Sequence, residues 1–508
     1  MPTAASWTSA ARRAVTDVRH LLWFRALQVR RGRGGPWIVA AFLVLSCAAA
    51  VVPAFTPGAG SGDGSAWELL LLLPTALAGF LFLAVVSAVA SGGGRELLAR
   101  DPGQIHPISP TTDHLGALLL SPLNIAWLLQ AWTLLGVTAY ALGPRNLLQA
   151  QVVVLLWLAA ATALAQVVAW SLECVRRLRH GIAAVRALMV AVLGAALGLQ
   201  MSGALVPIFD RIPTRWVVVG MVTGWSWRWA VTVLVVLGLL VSATVIGAIP
   251  AHLAARRTPR DELRVETGRH APRRMPSSAL AGLIRTDRAS VWRAVSMRRG
   301  LAVLAIGPGL VAVLGNLPWY SMTVLPGLVA SGGALLYGVN AWCLDARGAL
   351  WRESLPVPAG TVFAARAYVL AEFLLAASML TVALAATRAG VPSPAELTAL
   401  VCTQVVVTVQ VVAAALRWSA QRPYAVDLRS ARATPAPPLT MVGYSTRLAV
   451  STTITGLVFS GMARLPDWQL SLLVAVPFLC WSTVRLMRTR RAWVDPVDRA
   501  RVIMAVAA

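Results

Sequence analysis

Lysine is absent: all 45 basic residues of the chain are arginine. A P-loop needs a lysine on the β/γ-phosphates, a protein kinase needs its β3 lysine, and Schiff-base catalysis needs a lysine amine. Those activities are therefore excluded, and any nucleotide hydrolysis coupled to this chain has to occur on another one. Charge is scarce as well, at 13% of 508 residues against roughly 25% in soluble globular proteins. That shortage argues against a solvated globule, a disordered chain or a nucleic-acid-binding domain. The five cysteines, Cys47, Cys174, Cys343, Cys402 and Cys480, form no CxxC pair and are odd in number. They read as small buried apolar residues, not as a disulfide frame or a metal site. Six histidines lack HExxH or other ligand spacing, so no metal is expected. SGGGRE, Ser91 to Glu96, has no following GK[ST] and reads as a glycine-rich helix exit.

What the chain has in abundance is apolar sequence: 57% hydrophobic residues and a mean hydropathy of +0.69. A bilayer core needs roughly 20 apolar residues per helix. Candidate spans lie near 37–55, 69–91, 115–140, 147–172, 183–206 and 229–251, then 301–317, 322–343, 361–387, 396–416, 441–463 and 468–487. The expected fold class is an all-α polytopic membrane protein of about twelve transmembrane helices. Two spans are atypical: 441–463 is rich in Ser and Thr and includes Arg447, and 301–317 is short and contains Gly307, Pro308 and Gly309.

Arginine is unevenly distributed between these spans, and short cytoplasmic loops are the ones enriched in basic residues. Seven arginines precede residue 37, none falls in 56–68, and twelve lie between Arg256 and Arg299. Connections on the opposite side hold only Arg145, Arg211, Arg215, Arg228, Arg388 and Arg464, leaving 39 of the 45 at one face. Both termini are expected to be cytoplasmic, in the plasma membrane, and the net charge of +25 is mainly topological, with attraction to membrane lipid secondary. The loop 207–228 is the exception to the bias; its Trp216, Trp225 and Trp227, with Trp229 just beyond, suit an interfacial segment. The first 36 residues lack a compact h-region, which argues against a cleaved secretory signal.

The chain also echoes itself. FRALQVRRG, Phe24 to Gly32, aligns with WRAVSMRRG, Trp292 to Gly300, and HPISPTTDHLGA, His106 to Ala117, with LPVPAGTVFAAR, Leu355 to Arg366. Each echo occupies the same place relative to the spans of its half, which predicts a six-plus-six duplication. Units with an even number of helices repeat in parallel orientation. Val15, Val18, Leu22, Ala26 and Val29 before span one, and Leu280, Leu283, Ile284, Val291, Ala294 and Val295 before span seven, each form an apolar stripe at helical spacing. Two amphipathic helices at the cytoplasmic interface are expected from them. The resulting organisation is 1–36, an N-terminal interfacial helix; 37–251, a first six-helix unit; 252–299, a basic linker with the second interfacial helix; 300–487, a second six-helix unit; and 488–508, a cytoplasmic tail.

An ionisable group within a span is costly and marks a functional candidate. Glu372 lies well inside span nine, and its counterpart in the first half is the neighbourhood of Leu123 and Asn124. Asn124 and Glu372 are therefore candidates for a translocation pathway, with pairing to Arg366 the alternative role for Glu372. Glu173, beside Arg176 and Arg177, reads as a surface ion pair.

These features together resemble the permease subunit of a type-2 ABC exporter. The resemblance rests on FRALQVRRG, on RELLARDPGQIHPISPTTDHLG from Arg95 to Gly116, on SPLNIAWLLQAWTLLG from Ser121 to Gly136, and on DARGALWRESLPVPAGTVFAARAYVLAE from Asp345 to Glu372. In such permeases the loop between spans two and three couples to an ATPase. The resemblance thus implies coupling roles for Arg95, Glu96, Pro107 and Pro110, and in the second half for Arg352, Glu353, Pro356 and Pro358. It also implies a separate ATPase subunit, in two copies, carrying ATP and magnesium, with no cofactor and no catalytic residue in this chain. Fusion of two six-helix units removes the need for a homodimer. PVPAG replaces PISPT in the second half, so its coupling surface is expected to differ. Two alternatives remain open from sequence: a twelve-helix secondary transporter, whose short basic loop after span two is not matched by Gly92 to His114, and an integral membrane enzyme, which would need clustered acids or histidines.

Overall fold

The computed structural model describes residues 12–23, 35–90, 108–123, 125–204, 208, 211, 213–257, 276–314, 316–345, 348–426, 436 and 438–507. Among the described residues the regular structure is helical throughout. Seven helices are long and apolar enough to cross a membrane, or eight if one bent pair is counted as a single span. The chain is thus an all-α protein with the features of a multi-pass membrane protein, divided into two compact units, Met1–Arg269 and His270–Ala508.

In the first unit, α1 covers 12–23, followed by α2 (Gly35–Val51), α3 (Gly64–Ala90), α4 (Pro110–Leu120), α5 (Ile125–Leu142), α6 (Leu147–Arg176), α7 (Gly181–Met201), α8 (Thr214–Val222) and α9 (Trp227–Ala255). The expected span 115–140 is broken: α4 ends in a 3-10 turn at Ser121–Leu123 before α5 begins. Pro122 removes a backbone donor here and disfavours helical geometry just before it. The stripe on α1 is rotated from the expected one, with Ala14 and Val18 buried and Val15 59% exposed. Val18, Leu21 and Leu22 pack on Leu115 and Leu120 of α4, and Asp17 accepts from the Thr112 hydroxyl at 3.5 Å.

The tryptophan-rich loop forms α8, whose Val217, Val218 and Met221 are buried in the unit core, while Trp225 and Trp227 stand exposed. Close approach at the same end of the unit depends on two glycines. A Cβ on Gly60, at φ +66°, would fall 2.8 Å from Gly143 Cα, where no side chain could yield. At the other end, Arg177 clasps the end of α9 through the carbonyls of Ala254 and Arg257. The Glu173 carboxylate meets Arg177 at 3.1 Å and Arg176 at 3.6 Å, the ion pair expected from sequence.

The second unit contains α10 (Ala279–Arg293), α11 (Val295–Leu314), α12 (Leu325–Leu336), α13 (Gly348–Glu353), α14 (Ala359–Ala386), α15 (Pro394–Gln421), α16 (Pro438–Met462), α17 (Trp468–Val494) and α18 (Pro496–Ala507). The amphipathic α10 turns by 83° into the following helix. Its start is capped by the Ser278 hydroxyl, and Ser393 with Glu396 forms a complete capping box on α15. The two atypical segments are continuous helices: α11 runs through Pro308, and α16 covers the whole Ser/Thr-rich stretch.

The expected span 322–343 is helical only to Leu336. It continues as a 3-10 stretch, Gly338–Leu344, that is non-helical at Asn340 (φ −144°, ψ 69°). Backbone groups freed inside an apolar bundle need new partners, and polar side chains supply them. Ala341 N–H donates to Ser419 Oγ at 2.8 Å, Ser419 Oγ donates to Gly338 O at 2.9 Å, and Arg366 donates to Ala341 O at 2.7 Å.

The two units share six helix pairings, and the second adds α11 with α12, α12 with α16, α14 with α17 and α16 with α17. Taking α2, α3, α5, α6, α7 and α9 in order against α11, α12, α14, α15, α16 and α17, helix one touches three, two touches three and four, and four touches three, five and six in both. The short helix ahead of the first span packs on α4, the helix before α5, in the first unit, and α10 packs on α14 in the second. The linker 252–299 divides accordingly, with its start continuing α9 and its end forming α10. The expected tail 488–508 is helical: α17 extends to Val494, and α18 follows a sharp turn at Asp495.

Candidate functional site

The most highly organised polar cluster lies at the end of the second unit that carries α10, α13 and α18. α10 buries Leu283, Asp287 and Val291 at i, i+4 and i+8, so one acid lies within its apolar face. α14 contributes Arg366, which is 0% exposed. The break at Asn340 brings Asp345 to the same point, and α13 supplies Arg352.

These four side chains form a closed quartet. Asp287 Oδ1 accepts from Arg352 Nη2 at 2.6 Å, and its Oδ2 lies 3.1 Å from Arg366 Nε as an ion pair without a hydrogen bond; Asp345 Oδ2 accepts from Arg352 Nη1 at 2.7 Å and from Arg366 Nη2 at 2.6 Å. The Arg366 guanidinium also lies 5.5 Å from the Trp342 ring centre. Two cations and two anions cancel, which is the condition under which charges can be buried, since an isolated one costs several kcal/mol to desolvate. Arginine suits this place because its planar fork serves two carboxylates and a carbonyl at once.

The C-terminal helix covers the same region. Val502, Ile503 and Val506 of α18 are buried in the unit core, α18 packs on α13, and Arg499 pairs with Glu353 at 2.6 Å. Trp493 stacks on Trp342 at 3.6 Å with 4° between the rings. Asp495 Oδ1 accepts from the N–H groups of Val497 and Asp498, starting the helix. α13 and its loop leave three large apolar side chains outside, Leu350 at 50%, Trp351 at 79% and Leu355 at 52% exposure, beside exposed Glu353 and Ser354.

The residues expected from sequence are thus placed as follows. Arg352, Glu353, Pro356 and Pro358 share one compact segment, but Arg352 points inward as a brace and Glu353 is engaged by Arg499. Pro356 sits on the exposed turn, and Pro358 is the N-cap of α14. Pro110 occupies the first turn of α4 behind the Ser109 cap. Arg95, Glu96, Pro107 and Asn124 lie outside the described residues. Glu372 does not meet Arg366. It pairs with Arg288 of α10 at 2.7 Å, because α10 lies along that side of α14, and the Glu372 hydrogen bond holds the Arg288 pKa above its ordinary value. Of the cysteines, Cys343 and Cys402 are buried but Cys47 and Cys480 are exposed, since they fall on outward faces of their helices.

Asp287, Asp345 and the C-terminal helix were not singled out from sequence. The helix had a readable signal: Asp495-Pro496 is a start motif, and Val502, Ile503 and Val506 make an apolar stripe. No family model, no curated protein and no solved structure matches the chain.

Proposed function

We propose that the chain is the transmembrane permease subunit of an ATP-driven type-2 ABC export system in the plasma membrane. ATP would be hydrolysed on a separate subunit present in two copies. The observation that carries this reading is the mechanical arrangement around α13. Its outward side offers Leu350, Trp351 and Leu355 to a partner, while Arg352 ties its inward side to α10 and to the Asp345 turn. A push on α13 would reach α14 through the acids that Arg352 and Arg366 share, without passing through solvent or a flexible joint. The common helix pairings of the two units support a six-plus-six duplication. With it go twelve spans, cytoplasmic termini and alternating access between the two halves.

Co-purification from the native membrane tests the reading. An ATPase chain accompanying the detergent-solubilised protein, and ATP hydrolysis stimulated by reconstitution with it, is the expected result; isolation of the chain alone from intact membranes would overturn it. Topology is tested by single cysteines in a cysteine-free background. Ser61→Cys is expected to react with an impermeant maleimide from outside the cell, and Ser277→Cys only after lysis.

A further inference from the structure

A second basic cluster, apart from the quartet, surrounds Trp418 in the last turn of α15. Arg422 Cζ lies 4.7 Å from the Trp418 ring centre, and Arg447 Cζ, from α16, lies 5.5 Å from it. Two guanidinium groups share one indole, and both are exposed. Cation–π contacts of this kind hold the charges in place without neutralising them.

Six described acids of the unit are committed elsewhere. Asp287 and Asp345 serve the quartet, Glu353 serves Arg499 and Glu372 serves Arg288. Glu396 caps the far end of α15, and Asp495 caps α18. Among the described residues no carboxylate forms an ion pair with Arg422 or Arg447.

The surroundings of Arg447 define what such a charge meets. Val450, Ile454 and Leu457 follow it at helical spacing on one face of α16 and are 55%, 54% and 58% exposed. That stripe extends about 15 Å along the helix from the guanidinium-bearing residue. In a chain with membrane-crossing helices, an exposed apolar stripe ending in arginine and tryptophan marks the passage from acyl chains to headgroups. A soluble anion would have no use for the stripe.

We propose that Arg422 and Arg447 bind the phosphate of an anionic bilayer phospholipid, whose acyl chain lies along Val450, Ile454 and Leu457. Each arginine near a membrane surface favours an anionic lipid by about 1 kcal/mol, so removing both charges should weaken retention roughly tenfold or more.

The test uses the full chain solubilised from phosphatidylglycerol vesicles, with retained lipid counted by native mass spectrometry. Wild type is expected to retain phosphatidylglycerol over phosphatidylcholine, and R422Q/R447Q to lose that retention by about tenfold with an unchanged melting temperature in phosphatidylcholine. R422K/R447K, which keeps both charges, is expected to retain most of it. R388Q, at the opposite end of the unit, is expected to behave as wild type. Equal retention by the glutamine pair, an equal loss in R388Q, or displacement of the lipid by millimolar inorganic phosphate would overturn the proposal; the last would assign the site to a free anion.

Discussion

Asp287 and Arg366 meet at 3.1 Å with side-chain exposures of 1% and 0%, one from an amphipathic helix and the other from a membrane-type helix. Neither charge has water to turn to. Removing one partner of such a pair leaves the other buried and uncompensated, a loss of about 3–5 kcal/mol. Asp287→Ala is therefore expected to lower the detergent melting temperature and release α10, seen as faster amide exchange over 279–293. A wild-type melting curve for this variant would contradict the buried quartet.

Deletion of residues 496–508 removes the cover on α13. Val502, Ile503 and Val506 bury their side chains in that contact, and each buried side chain of this size contributes about 1.5–3 kcal/mol relative to exposure. Exchange over 348–355 is expected to rise in the truncated protein. The α10 helix, held by the quartet, should keep its protection.

Trp351→Ala separates docking from folding. At 79% exposure the indole contributes little to the unit's own packing, so the melting temperature should move by no more than about 0.5 kcal/mol equivalent. If α13 is the coupling surface, the amount of co-purifying ATPase falls by tenfold or more, as for a buried aromatic anchor.

Glu372→Gln distinguishes a structural pair from a pathway residue. Its partner Arg288 is half exposed, with side chains at 42% and 36%, and such pairs are worth about 0–1 kcal/mol. Stability is expected to hold within that range. Transport assayed on the same sample then reports directly on a pathway role.

In the first unit, Gly247 of α9 allows His114 of α4 to pack flat against it. A Cβ at 247 would lie 2.5 Å from His114 Cε1, and His114 is fully buried. Gly247→Ala is expected to destabilise by about 1–3 kcal/mol, the usual range for overpacking. The companion change His114→Ala should recover part of that loss in a double-mutant cycle.

The sequence made the helices legible wherever a single local property decides. Apolar runs located the long helices, although 115–140 is broken at Ser121–Leu123 and 322–343 is α-helical only to Leu336, and the apolar stripes beginning at Val15 and Leu280 pointed to the helices α1 and α10. What escaped were relationships that need the chain to bend. Arg366 reads from sequence as an arginine inside the span 361–387 and a partner for Glu372, and Asp345 as a loop acid; only the departure from helix at Asn340 brings the two to 2.6 Å. The Arg366 pairing expected for Glu372 failed for the same reason, since α10 was not foreseen lying along α14. The C-terminal helix was obscured by composition: Arg488, Arg490 and Arg491 look like a solvated tail, yet Trp493 between them and α18 is buried.

The quartet of Asp287, Asp345, Arg352 and Arg366 carries no net charge, and this bears on how the protein experiences the membrane potential. A single charge moved across the whole field gains or loses about 2.3 kcal/mol per 100 mV. A neutral set displaced as one body feels almost none of that force. Displacement of the quartet as a unit is thus nearly independent of the potential, whereas Asp287→Asn would leave one positive charge and make the same displacement voltage-dependent.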